Sequence, residues 1–182
     1  TGVLLALGEA ADRARKAPLP TPLLRGGTGS HSESEEQPED LPDRFEAGTQ
    51  NLCGVAGLLA AIRYLENAGL AAVRERENAL TNRLLETLSA IQGVRVFGPR
   101  AGRDRLPVVS VDVPGADIGT LSMGLDLRGV VVRTGLHCAP AAHKTIGTIN
   151  TGGTIRFSPG YFTSMGEIDE AVAALADIVA RR

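Results

Sequence analysis

The sequence predicts an α+β domain in which helices cover one face of a small sheet. Three observations carry that expectation. From residue 70 onward, apolar residues recur at helical and then at strand spacing, in the order helix, strand, strand, helix, strand, strand, helix. The helical runs stop at Gly69, Gly93 and Gly129, and glycine is the residue that most readily ends a helix. The composition, 43% hydrophobic and 22% charged over 182 residues, is that of an ordinary globular chain.

The elements follow in order. Gly2 to Leu7 is an apolar run with strand character, and residues 8–17 read as a short helix stopped by Pro18, Pro20 and Pro22. From Arg25 to Glu46 the chain is polar. Gly26-Gly27-Thr28-Gly29-Ser30 leads into a stretch with seven acids against one base, and no apolar period supports an element there. Such a loop is longer than a compact domain usually carries without a functional reason. Asn51 can cap a helix running through Val55, Leu58, Leu59, Ile62 and Leu65. Leu70 opens a second helix, with Val73, Leu80, Leu84, Leu88 and Ile91 near one face.

Residues 94–97 and 108–113 alternate as strands, and Asp117 to Arg128 is helical. Val130 to Arg133 and Thr154 to Ser158 are two more strands. Ser164-Met165-Gly166-Glu167 has the spacing of a capping box and opens a last helix with Ile168, Val172, Leu175, Ile178 and Val179. The expected core is Leu84, Leu88, Val109, Val111, Val131, Ile155, Leu175 and Ile178.

Charge and composition exclude some functions. A net charge of -2 offers no basic field for a nucleic-acid backbone or an anionic membrane. Aromatics at 3%, with no Trp, leave little for base stacking. No apolar run reaches the length of a membrane span, so a cytoplasmic protein is expected. Cys53 and Cys138 are too few and too far apart for a secreted disulfide framework. Lys16 and Lys144 are the only lysines, so chemistry that needs a lysine amine has two candidates.

Three segments can carry chemistry. In Arg133-Thr134-Gly135-Leu136-His137-Cys138-Ala139-Pro140, a strand ends in an arginine and a short loop then presents His beside Cys. A cysteine near Arg and His⁺ can act as a thiolate nucleophile, although a small buried structural cysteine fits the same pattern. A metal site built from His137, Cys138 and His143 would have only one sulfur, which disfavours it. In the second segment, Arg156 alternates with Ile155 and Phe157, so it projects from the opposite face. There it either pairs structurally or recognises a planar anion. In the third, Gly48-Thr49 directly before a helix suits a phosphate, and equally suits simple capping.

Taken in order, 26–51, 130–148 and 152–175 resemble the class V aminotransferase superfamily of pyridoxal-phosphate enzymes, in its cysteine desulfurase and selenocysteine lyase branch. The resemblance implies the C-terminal portion of that fold. Residues 1–69 would be the tail of the large cofactor domain, with a mobile loop at 26–46 and a connecting helix, and residues 70–182 the small α+β domain. It further implies removal of sulfur from cysteine to give alanine, with a persulfide left on Cys138. Arg156 would hold the substrate carboxylate and Arg133 would be a second anion contact. His137 would tune the thiol or shuttle a proton, and Gly48 and Thr49 would reach the cofactor phosphate of the partner subunit in a homodimer.

A sulfur-acceptor protein is a possible partner under this reading. Neither Lys16 nor Lys144 matches the cofactor lysine of the family, so the chain alone is expected to be inactive. The family usually has Asn-Thr where this chain has Thr163-Ser164, and both pairs can cap a helix. Two alternatives stay open: an aminotransferase or epimerase-type enzyme in which Cys138 is incidental, and a non-catalytic half-fold that binds a separate lysine-bearing chain.

Overall fold

The computed structural model describes residues 21–31, 33–102 and 105–182. The expected strand at 2–7, the helix at 8–17 and Lys16 lie outside the described residues. The chain divides into two compact units, Thr1–Asn67 and Ala68–Arg182.

In the first unit the polar stretch forms turns, with one short 3-10 turn at Asp43–Phe45. Gln37 organises it. The side-chain amide donates to the carbonyls of Asp43 and Arg44, and the amide oxygen accepts from the Gly26 N–H. Helix α1, Leu52–Ala68, starts where the sequence placed it. Asn51 Oδ1 accepts the Gly54 N–H at 2.9 Å, satisfying one of the amides that a helix start leaves without a partner. No residue of α1 is buried, and Leu52, Val55, Leu59, Ile62 and Leu65 remain exposed along it.

The second unit contains α2 (Leu70–Ser89), β1 (Arg95–Phe97), β2 (Val109–Asp112), α3 (Ile118–Asp126), β3 (Arg133–Gly135), α4 (Pro140–Thr145), β4 (Thr154–Phe157) and α5 (Met165–Ala180). The strands form one antiparallel sheet in the order β1-β2-β4-β3. Val111 faces Ile155, Ser110 faces Arg156, and Arg133 faces Arg156 across the ladder. Because strand side chains alternate, Val109, Val111, Ile155 and Phe157 share one face while Ser110, Thr154, Arg156 and Arg133 share the other.

The apolar face packs against the helices. Leu80, Leu84 and Leu88 of α2 recur every fourth residue, and Leu121, Leu125, Ile168, Val172 and Leu175 complete the core. Each buried leucine is worth about 1.5–3 kcal/mol relative to exposure. The expected capping box of Ser164 and Glu167 forms, and Asp117, read as the first helical residue, instead caps α3 by accepting from the Thr120 N–H. These carboxylates are held below their ordinary pKa, first by the Thr120 N–H at Asp117 and by the Ser164 N–H at Glu167.

Two core expectations need correction. Val131 is 89% exposed. The strand begins at Arg133 rather than Val130, and Val130 and Val132 pack against the core while Val131, between them, projects outward. Ile178 is half-buried. It lies against Gly124 of α3, where a Cβ would come within 3.0 Å of its Cδ1. The sequence reading also missed α4 and the 3-10 turn at Ile149–Thr151, both in the connection between β3 and β4.

Candidate active site

Cys138 sits on a tight turn that leaves the end of β3. The Ala139 N–H donates to the Leu136 carbonyl at 2.8 Å, and the two central residues have positive φ, 53° at His137 and 59° at Cys138. Positive φ at both centres is the signature of a type I′ turn, which normally takes Gly or Asn. Two non-glycine residues in that region cost roughly 1–3 kcal/mol each, so their surroundings must hold them there. The Cys138 side chain is exposed and free, and Arg133 Nη2 lies 3.9 Å from its Sγ. Pro140 follows as the first residue of α4.

The imidazole of His137 engages the sheet. Its Nε2 is 3.0 Å from Thr154 Oγ1, and Thr154 is fully buried on β4. Its ring centroid is 5.6 Å from that of His143, a buried residue whose Nδ1 is 2.7 Å from the hydroxyl of buried Thr148. Burial, followed by the positive fields of Arg156, His143 and Arg133, pushes the His137 pKa below the ordinary imidazole value against an opposing hydrogen bond to the Thr154 backbone. His137 is therefore neutral at neutral pH. It is not the His⁺ expected beside the thiol, and the positive charge at Cys138 comes from Arg133.

Arg156 projects from the polar face of β4, directly opposite Arg133. Like charges paired across strands are unfavourable. Arg156 Nε is also buried without a hydrogen-bond partner. Two arginines on the same face of paired strands, one with an unsatisfied inner N–H, suit a small planar anion such as a carboxylate. The structure thus brings Cys138, His137, Arg133 and Arg156 to the end of one strand pair.

Gly48 and Thr49 belong to the other unit, in the turn before α1. Gly48 has φ 82° with open space around its Cα, but its N–H donates to the Gly27 carbonyl at 2.9 Å. That amide is already committed, whereas Thr49 is exposed. Lys144, the one lysine among the described residues, is exposed on α4. Among the described residues, no group of three or more His, Cys, Asp or Glu is placed to hold a metal.

Sequence reasoning gave Thr154 and Thr148 no role and weighed His143 only as a metal ligand. Thr154 was within reach, because it lies two positions before Arg156 and must share its face of the strand. His143 and Thr148 had no such signal, since their pairing depends on how α4 folds back.

The sequence profile of the aminotransferase class-V family matches residues 5–171. A probable cysteine desulfurase 2 of Mycobacterium leprae is 36% identical over 156 residues, covering 85% of this chain and 37% of that protein. A probable cysteine desulfurase of Xylella fastidiosa is 36% identical over 75% of this chain and 32% of its own length. Among solved structures, the apo cysteine desulfurase of Thermococcus onnurineus NA1 superposes with a TM-score of 0.75 at 32% identity, covering 88% of this chain and 40% of that one. The cysteine desulfurase CsdA of Escherichia coli gives 0.72 at 25% identity, over 88% and 39%. The chain therefore spans well under half the length of the relatives it matches.

Proposed function

The chain belongs to the aminotransferase class-V family, and from that premise we propose that it carries the nucleophile and the substrate-carboxylate clamp of a pyridoxal-phosphate-dependent cysteine desulfurase. One observation carries the reading. An exposed Cys138 stands on a strained turn 3.9 Å from Arg133, and Arg133 faces an Arg156 whose inner N–H has no partner. A nucleophile beside a pair of arginines fits an amino acid whose carboxylate they hold and whose side-chain sulfur is the target.

The described residues fit the substrate end of a pyridoxal-phosphate site, and the one lysine among them, Lys144, lies exposed on α4. Gly48 and Thr49 would meet the cofactor phosphate in a homodimer. Thr49 would do so through its hydroxyl, because the Gly48 amide is bonded to Gly27. The cofactor, when bound, supplies the electron sink that lets the substrate Cβ–S bond break.

This chain's own residues perform the rest. Arg156 and Arg133 hold the substrate carboxylate and so fix the distance from the substrate sulfur to Cys138. The Cys138 Sγ attacks that sulfur; an S–S bond forms as the Cβ–S bond breaks. The released electron pair passes to Cβ, which takes a proton. Cysteine becomes alanine, Cys138 keeps the sulfur as a persulfide, and no outside oxidant or reductant is consumed. Neutral His137 has a ring nitrogen able to accept a proton during this exchange. A sulfur-acceptor protein would then unload Cys138. Among the described residues no helix is long and apolar enough to cross a membrane, and a cytoplasmic location completes the proposal.

The test is to incubate the complete enzyme, carrying the lysine-bearing part of the family fold and loaded with cofactor, with cysteine under a reductant and to measure alanine and sulfide. Equal amounts of both are expected. Cys138→Ala should release none while keeping the visible cofactor band, because the cysteine does not hold the cofactor. Sulfide release by Cys138→Ala at the parent rate would make Cys138 incidental and favour the aminotransferase or epimerase reading.

A further inference from the structure

The His137–Cys138 turn is an unlikely conformation for its residues, and the chain has surrounded it with hydroxyls. Thr154 is buried on β4 with Oγ1 3.0 Å from His137 Nε2. His143 packs its ring 5.6 Å from that of His137 and is itself fixed by Thr148 at 2.7 Å. Backbone bonds close the same ring of residues: His143 N–H to the Ala139 carbonyl, Thr148 N–H to that of His143, and Gly153 N–H to that of Thr148. The two histidines and two threonines join the Cys138 turn, α4 and the start of β4 into one cluster. Thr154, Thr148 and His143 are buried, and His137 is half-buried.

We infer that Thr154 is a positioning residue for the Cys138 turn, acting through the His137 imidazole and backed by the His143–Thr148 pair. The inference rests on the desulfurase reading for the importance of Cys138, and on geometry for everything else. Thr154 also fixes which ring nitrogen carries the proton. Nε2 points at the Thr154 hydroxyl, whereas Nδ1 is buried with no partner. An orphaned buried N–H is rarer than an orphaned buried acceptor, so the proton sits on Nε2 and Nδ1 keeps its lone pair. A histidine ring held in one tautomer and one orientation by an outer hydroxyl is a common way to organise a reactive site.

Thr154→Val removes the hydroxyl and keeps the volume; Thr154→Ser keeps the hydroxyl. In the protein labelled with 15N-histidine, NMR should show His137 as the single Nε2–H tautomer in the parent and in Thr154→Ser. Thr154→Val should show a mixture of tautomers. In the complete, cofactor-loaded enzyme, Thr154→Val should lower kcat for sulfide release by about tenfold, the low end for loss of a group that orients a site residue. KM for cysteine should stay within about twofold, because the carboxylate clamp is untouched, and Thr154→Ser should restore kcat.

An unchanged tautomer in Thr154→Val, or an unchanged kcat, would overturn the inference. If Thr154→Val does not fold, Thr154→Ser decides alone, and a mixed tautomer there overturns it as well. Failure of the desulfurase reading looks different. The parent would then turn over no cysteine, while the tautomer measurement would still report on Thr154.

Discussion

Replacing Gly153 with alanine should damage the joint on which the Cys138 turn is mounted. Gly153 is buried just before β4 with φ 101°, a conformation that L residues rarely adopt. A Cβ built there lies 2.1 Å from the carbonyl oxygen of Gly135 and 2.3 Å from its carbonyl carbon. These are backbone atoms of β3, so no side chain can swing aside. Holding alanine at that φ costs roughly 1–3 kcal/mol, and forcing the two strands apart adds an overpacking cost of about 1–3 kcal/mol. Together they predict a loss of roughly 2–6 kcal/mol, a large share of the roughly 5–15 kcal/mol that typically holds a domain together.

Urea unfolding followed by circular dichroism measures that loss, and amide exchange at Thr134 and Ile155 tells whether the β3–β4 ladder opened. Gly160→Ala is the control, with nothing within 4 Å of its built Cβ and no positive φ. It should move stability by less than about 0.5 kcal/mol. If Gly153→Ala were as harmless as Gly160→Ala, the close approach of β3 and β4 would not be a packing constraint and the reasoning would fail.

Two further predictions concern the polar face. Arg156→Ala should raise KM for cysteine by the equivalent of roughly 2–4 kcal/mol, the loss of a desolvated bidentate carboxylate pair. Its melting temperature should hold or rise, because the substitution removes a like-charge cross-strand pair and an unsatisfied buried N–H; a sharp fall in melting temperature with KM unchanged would make Arg156 structural. The second follows from His137, whose folded pKa lies below the unfolded value of 6.5. Here the unfolded chain binds the proton more tightly, so the contribution to stability is present above 6.5 and is lost as pH falls toward the folded pKa. Denaturation midpoints measured from pH 7.5 down to 5 should therefore fall less steeply in His137→Gln than in the parent, and identical slopes would refute the neutral, buried imidazole.

The sequence by itself determined the α+β order, because each element carried its own local signal. The helical repeat of Leu80, Leu84 and Leu88, the alternation around Val109 and Val111, and the Ser164–Glu167 capping box are readable without any long-range contact. It also singled out Cys138, Arg133 and Arg156 as residue types with chemistry to offer. Their gathering was not legible, since Arg133 and Arg156 meet only through the β3–β4 register, 23 positions apart in the chain. Val131 shows the same limit from the other side: an apolar run reads as strand core, yet its exposure depended on where β3 began.

His137 shows it most clearly. Its neighbour in sequence is Cys138, but the tertiary fold gave its imidazole Thr154, His143 and the field of Arg156, and thereby decided that it is neutral. Local pattern fixes elements because backbone sterics and hydrophobic period act over a few residues. Protonation and anion recognition act through space, and only the packed sheet sets those distances.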